Sequence, residues 1–262
     1  MLAKESWKFP VALVVAALLA ACHAPGPSGV QAGHGGAAPG APVPGVAAGS
    51  PAESTPPPPS PRPLPPPLPP RDVPTYRIDP AQSSLRVLVY RAGTLASLGH
   101  DHVIDNHALT GWVGLAPGAE QTSFYLEIPV AAFVIDDAAA RADAGPEFAA
   151  EVGSDAKEGT RRNMLGPALL DAEHHASLAV RSLAFQGSEP NLVATVVAEV
   201  AGHATTLTIP VHVARGERRV TARADFPVRQ TELGLTPFSV MRGALRVADE
   251  IKLRLVLVAV PE

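Results

Sequence analysis

The stretch VADEIKLRLVLVAV, residues 247–260, decides the fold class. Ile251, Leu253, Leu255 and Leu257 fall on one side of it, and Lys252 and Arg254 on the other. A period of two is that of a strand with one buried and one solvated face, because successive side chains point to opposite sides of a sheet. The same alternation returns at 84–91, where Leu85, Val87 and Val89 share a face. It recurs at 107–115, 122–130, 177–185, 192–200, 205–213 and 220–228. Asp105-Asn106, Gly187-Ser188, Gly202 and Gly216-Glu217 are turn signals between these runs. Several short alternating strands separated by turn residues predict an antiparallel sandwich or barrel.

One segment breaks the pattern. Residues 136–176 are rich in Ala, Glu and Arg, with Ser154 as a candidate N-cap and Gly166-Pro167 as a stop. One or two short helices are expected in this insertion, with a flexible front part around Gly145-Pro146, placed to cap one end of a barrel. From residue 75 to 262 no linker interrupts the pattern, and 188 residues suffice for one sizeable core.

Upstream the composition changes. Eighteen of the 29 prolines lie in 23–74, a segment with almost nothing to build a core from. It is expected to be disordered or polyproline II, flexible around Gly33 to Gly45 and stiffer from Pro56 to Pro74, where 19 residues reach about 60 Å. The expected domains are therefore 1–21, 22–74 and 75–262.

Residues 1–21 carry Lys4 and Lys8, then an apolar run of 12 residues ending in Leu19-Ala20-Ala21 before Cys22, the single cysteine. This is the layout of a secretory signal, and the run is shorter than the roughly 20 residues that span a bilayer. Leu-Ala-Ala-Cys resembles the lipobox of bacterial lipoproteins. That resemblance implies cleavage before Cys22, a diacylglycerol on its sulfur and a palmitate-type acyl chain on the new amino terminus. Two or more chains anchor stably where one binds reversibly, at about 0.8 kcal/mol per buried CH₂. The chain is thus expected on the periplasmic side of a bacterial membrane. His23, in place of Asp, after the cysteine implies the outer membrane over the inner.

The composition excludes several functions. With four Lys/Arg and three Asp/Glu in 1–74, residues 75–262 hold 17 basic and 22 acidic side chains, with no basic stripe, which argues against nucleic acid. A lipid-blocked Cys22 leaves no thiol for catalysis or metal ligation. There is no Gly-x-Ser-x-Gly elbow, no phosphate loop and no His-Glu-x-x-His. No catalytic residue and no cofactor is expected.

Gly99-His100-Asp101-His102 followed by His107 is the one polar constellation. If Asp105-Asn106 is a two-residue hairpin, His102 lies opposite Leu109 and His100 opposite Gly111, so His100, His102 and His107 share a face with Leu109 and Val113. Two histidines at i and i+2 are roughly 7 Å apart, close enough for one metal. Three readings stand: a metal-dependent protein or enzyme built on this face, polar groups at a barrel mouth that bond a quinone or lipid head group, and a turn with satisfied histidines.

Several stretches, in order, resemble the YceI-like family. They begin with Tyr76-Arg77-Ile78-Asp79-Pro80, Ser83-Ser84-Leu85-Arg86-Val87 and Leu109-Thr110-Gly111-Trp112-Val113-Gly114. Asn163-Met164-Leu165 and Leu169-Leu170-Asp171-Ala172 follow. Then come Val200-Ala201-Gly202-His203, Leu207-Thr208-Ile209-Pro210-Val211, residues 229–235 and Val247-Ala248-Asp249-Glu250-Ile251. Together they span nearly all of 75–262. The resemblance implies an all-β, antiparallel, lipocalin-like barrel of about eight strands, with one or two short helices in its insertion, that holds an isoprenoid or other lipid-like chain. The lipobox, the stalk and the long polar insertion depart from the family's plainer form. On this reading the ligand-binding positions are Leu85, Val87, Val89, His100, His102, His107, Leu109, Val113, Leu253 and Leu255. The partners are an apolar small molecule and, through Cys22, a membrane. A tethered interaction domain with a filled barrel is the remaining alternative.

Overall fold

The computed structural model describes residues 67–118 and 121–261. The expected signal segment, the expected lipidation site Cys22 and the expected linker up to residue 66 lie outside the described residues. The strands are β1 (Thr75–Ile78), β2 (Ser84–Val89), β3 (Arg91–Ala92), β4 (His102–Asn106), β5 (Thr110–Gly114), β6 (Ser123–Pro129) and β7 (Val134–Ile135). Then follow β8 (Ser177–Ser188), β9 (Asn191–Val200), β10 (His203–Arg215), β11 (Val220–Arg229), β12 (Ser239–Val240), β13 (Leu245–Val247) and β14 (Glu250–Pro261). The insertion folds as two helices, α1 (Ala138–Ala144) and α2 (Ser154–Leu165).

β1, β5, β6, β8, β9, β10, β11 and β14 pair antiparallel in that order, and β14 returns to β1 with Val260 opposite Arg77. This closes an eight-stranded, lipocalin-like barrel and leaves no free edge there. β2, β4 and β7 are continuations of barrel strands and add none to the count. β14 pairs with β1 through Ala259 to Pro261 and with β2 through Lys252 to Val256, along the same edge. In parallel, β4 pairs with β2 as β5 does with β1, and β7 with β4 as β6 does with β5. Three neighbouring barrel strands are thus each broken at one level.

A broken strand leaves backbone groups without ladder partners inside the fold, and unpaired buried groups are costly. Side chains take their place at all three breaks. Between β1 and β2, the buried Ser83 hydroxyl accepts from the Val258 N–H at 3.0 Å and donates to its carbonyl at 3.4 Å. Between β4 and β5, Asn106 donates to the Pro129 carbonyl at 2.8 Å and accepts from the Ala108 N–H at 2.9 Å. Between β6 and β7, Arg161 of α2 donates to the carbonyls of Ala131 and Phe133.

This arrangement overturns the hairpin expected at Asp105-Asn106. β4 runs on into β5 in the same direction, so the two are halves of one strand and do not face each other. Asn106 is fully buried, and Asp105 lies buried in a bidentate ion pair with Arg86 at 2.8 and 2.9 Å. Asn106→Ala would orphan the Pro129 carbonyl and the Ala108 N–H. It is expected to lower the unfolding free energy by about 2 kcal/mol or more. A urea midpoint unchanged from the parent chain would show that water serves the break instead.

The other turn signals hold in place or nearly so. β9 and β10 join through Ala201-Gly202, both left-handed, and β10 and β11 join beyond Arg215 at Gly216. Gly187-Ser188 ends β8, with the reversal at Glu189-Pro190. In β5, Gly111 has φ +137°, and a Cβ there would stand 2.0 Å from the Tyr125 carbonyl oxygen, so only glycine lets β5 approach β6. Asp137 caps α1 by accepting from Ala139 and Ala140 N–H. For α2 the cap position is Gly153, one residue before the expected Ser154, and Gly166 ends the helix.

The main core fills the barrel from Ile78 and Leu85 to Leu257, and includes Met164 and Leu170 from the end of the insertion. A second cluster, Leu88, Val103, Ala140, Ala144 and Phe148, lies on the outside, where α1 and the turn after it cover β2 and β4. A third, Leu115, Leu192, Val213 and Val220, sits at the barrel end from which β1 starts. Every member of the three clusters lies between Tyr76 and Leu257, so the unit from Pro58 onward carries its own core.

Candidate functional site

Alternation along each long strand sends one set of side chains inward, and in this chain that set is aliphatic or small. On β11 the inward positions are Val220, Ala222, Ala224, Phe226 and Val228; on β9 they are Leu192, Ala194, Val196, Ala198 and Val200. Alanines at these positions leave the barrel only partly filled. The interior holds a cavity of about 260 Å³.

Polar side chains among its lining residues are limited to Thr122, Glu189, Arg223 and Gln230. None of the last three offers a free charge to the interior. Arg223 is exposed on the outward alternation of β11. Glu189 is bound by Arg215 in the β8–β9 turn at 2.5 Å, and Gln230 donates to the Ala248 carbonyl at 2.7 Å. Burying an unpaired polar group costs free energy, so a wall of this kind selects apolar guests.

Six sequence-predicted positions meet in this wall: Leu85, Val87, Val89, Val113, Leu253 and Leu255. Leu109 is fully buried in the main core without lining the cavity. The three histidines are dispersed, which corrects the shared face expected for them. His100 is exposed, with its ring centroid 6.3 Å from that of His102. His107 is 64% exposed, on the outer side with Asp105. His102 follows the inward alternation of Ile104, yet it too is absent from the cavity wall. The physical reason is the register: without a hairpin, nothing places His107 and Leu109 opposite the first half of β4. Among the described residues, no three His, Cys, Asp or Glu side chains are grouped to hold a metal ion.

His102 has a different occupation. Its Nδ1 is 2.6 Å from Asp136 Oδ2, and its Nε2 is 3.3 Å from the Thr160 hydroxyl on α2. Asp136 is fully buried and also accepts from the Val103 N–H at 2.9 Å and from the Arg141 guanidinium. Burial pushes the Asp136 carboxyl upward, but the hydrogen bonds from His102, Val103 and Arg141 outweigh it and hold the group below its ordinary value. This network ties the insertion to the barrel wall.

Sequence reasoning missed much of the wall. Phe124, Leu207 and Phe226 follow the period of two and could have been taken from it; Met164, Leu169 and Leu170, at the end of the insertion, carry no such period.

No protein-family model matches the chain, and no curated protein matches it. Among solved structures, BcnA of Burkholderia cenocepacia is similar, at 19% identity and a TM-score of 0.52, over 70% of this chain and 99% of that one. A polyisoprenoid-binding domain from Saccharophagus degradans matches at 12% identity and a TM-score of 0.48, over 71% of this chain and 98% of its own. A YceI protein of Campylobacter jejuni matches at 10% identity and a TM-score of 0.42, over 59% and 81%. At 19% identity the likeness to BcnA is one of fold. The chain has a closed, lipocalin-like antiparallel barrel that shares its fold with BcnA, as the all-β barrel reading of the sequence implied.

Proposed function

We propose that this barrel binds and carries one apolar, isoprenoid- or lipid-like chain in the bacterial envelope, without catalysis. The observation that supports it is the cavity of about 260 Å³ with an almost wholly apolar wall. That volume is just under the roughly 300 Å³ at which small-molecule pockets begin, which suits a slender extended chain better than a bulky fused ring system. The isoprenoid class comes from the sequence resemblance. The lipobox ending in Cys22 supports a tether to the membrane in which such molecules reside.

The test is native mass spectrometry of the protein, purified without detergent from an envelope fraction, followed by organic extraction. A stoichiometric apolar adduct is expected, and its mass names the ligand. Bare protein that also fails to take up added isoprenoid alcohol or quinone would overturn the reading in favour of an interaction domain.

A further inference from the structure

Among the described residues, five of the nine large exposed apolar side chains gather at one end of the barrel, while Leu68, Val134, Leu183 and Val193 lie singly elsewhere. Leu95, Leu98, Phe238, Val240 and Met241 all lie in the two loops around β3 and β12–β13, with Leu98 66% and Met241 52% exposed. These loops are joined into one body. β12, β13 and β3 form a small sheet, with Arg246 opposite both Ser239 and Ala92. The Leu95 N–H donates to the Ala244 carbonyl at 2.8 Å. At Gly93 (φ +96°) a Cβ would stand 2.3 Å from that same oxygen, so the loops are in close backbone contact.

Met241 and Arg242 both hold left-handed backbone, at φ 52° and 55°. Each such non-glycine residue costs about 1–3 kcal/mol, and strain of this sort collects at working surfaces. Here it accompanies an outward-facing methionine next to an outward-facing arginine. The apolar crest is flanked by Arg242 and Arg246, both exposed; of the carboxylates at this end, Asp101 accepts from the Arg91 N–H and Asp249 from Thr231, and Glu232 and Glu250 are exposed.

The course of residues 67–74 is the second observation. Residues 67–70 lie against the outer face of β5. The Trp112 indole N–H donates to the Pro67 carbonyl at 3.0 Å, and Pro70 packs over Gly114. The strand half-pair β4–β5 runs from the crest end toward Gly114. Followed backward from Thr75, the chain therefore turns at the far end and heads from Gly114 past Trp112 toward the crest. Pro67, the first described residue, therefore lies on the crest side of Gly114.

We infer that this crest docks on the surface of an anionic phospholipid bilayer, setting the end of the barrel that bears β12 and β13 against the lipid. Apolar side chains at the interface with cationic ones beside them are what such a surface binds. The inference deepens the carrier reading by naming the surface from which the cargo passes, but its readout needs no cargo.

The experiment is co-sedimentation of residues 58–262 with vesicles of phosphatidylcholine alone and of phosphatidylcholine with phosphatidylglycerol. Binding to the anionic vesicles is expected, weakening as salt rises. Phe238→Ser with Met241→Ser should reduce partitioning at least tenfold, and Arg242→Gln and Arg246→Gln about fivefold each. All four side chains are exposed, and unchanged urea midpoints would verify that the barrel is intact. No binding to anionic vesicles, or equal binding by the Phe238→Ser/Met241→Ser variant, overturns the proposal. So does a dimer in light scattering that the same variant dissolves, since the crest would then be a contact between copies. If native mass spectrometry finds no cargo while vesicles still bind, the carrier reading fails and the docking surface stands.

Discussion

Asp136→Ala is expected to lower the unfolding free energy by about 3–5 kcal/mol at neutral pH, the range for removing one partner of a buried charged pair. The carboxylate is fully buried and serves three donors from two elements: His102 and the adjacent Val103 N–H on β4, and Arg141 on α1. Lys157 of α2 adds a bond to the Asp136 carbonyl at 2.6 Å. Without the carboxylate, the nearly buried Arg141 guanidinium keeps its charge and loses its counterion. Asp136 also sits at φ 52°, a conformation that Asn or Asp tolerates better than Ala does. Asp136→Asn therefore provides the milder variant if the alanine form does not fold.

The pH dependence has a definite sign. The folded carboxyl lies below its unfolded value, so its stabilising contribution is complete above the unfolded pKa and is lost as pH falls through the folded one. Urea midpoints of the parent chain should fall in acid below the ordinary carboxylate range. Asp136→Asn should lose that part of the acid dependence. A cost under about 1 kcal/mol, or an unchanged acid limb, would show that the insertion is held to the barrel by its apolar contacts alone.

Strands β9 to β11 and β14 were legible because each is long, unbroken and divided between cavity and water; β8 is as long but its register shifts between Ser182 and Ala184. Lys252 and Arg254 alternate with Leu253 and Leu255, and that pattern has one reading. The strands read poorly were those that break. Asp105-Asn106 has the chemistry of a turn, since Asn and Asp bond nearby backbone readily. Here Asn106 uses the same capacity across strands, to the Pro129 carbonyl, and its neighbour pairs with Arg86. The error passed straight into the site, because a wrong register moves side chains to the wrong face. Apolar candidates survived it: Leu85, Val87, Val89, Val113, Leu253 and Leu255 depended only on their own strand's period. The histidines depended on the hairpin and did not. The pairing of His102 with Asp136, 34 positions away, has no local signal at all.

Ala222→Phe is expected to weaken binding of a long-chain isoprenoid alcohol about hundredfold while leaving the barrel as stable as before. Ala222 points inward from β11, flanked by Val213 on β10 and Leu257 on β14, and lies where the main core meets the end cluster. An alanine that stays half-buried inside a closed barrel borders empty space, and it lines the cavity. A benzyl group there would take room otherwise held by about four CH₂ groups of the guest. At about 0.8 kcal/mol each, that is about 3 kcal/mol, or somewhat over a hundredfold in Kd. Phenylalanine serves better than tryptophan, whose N–H would lack a partner in this wall. Arg229→Ala, on the same strand but exposed and facing outward, should leave affinity unchanged. The stability measurement is equally informative. A packed interior resists added volume at a cost of about 1–3 kcal/mol, whereas a cavity absorbs it. Loss of stability together with an unaltered isotherm would mean that the interior is filled and that the apolar guest, if one binds, binds elsewhere.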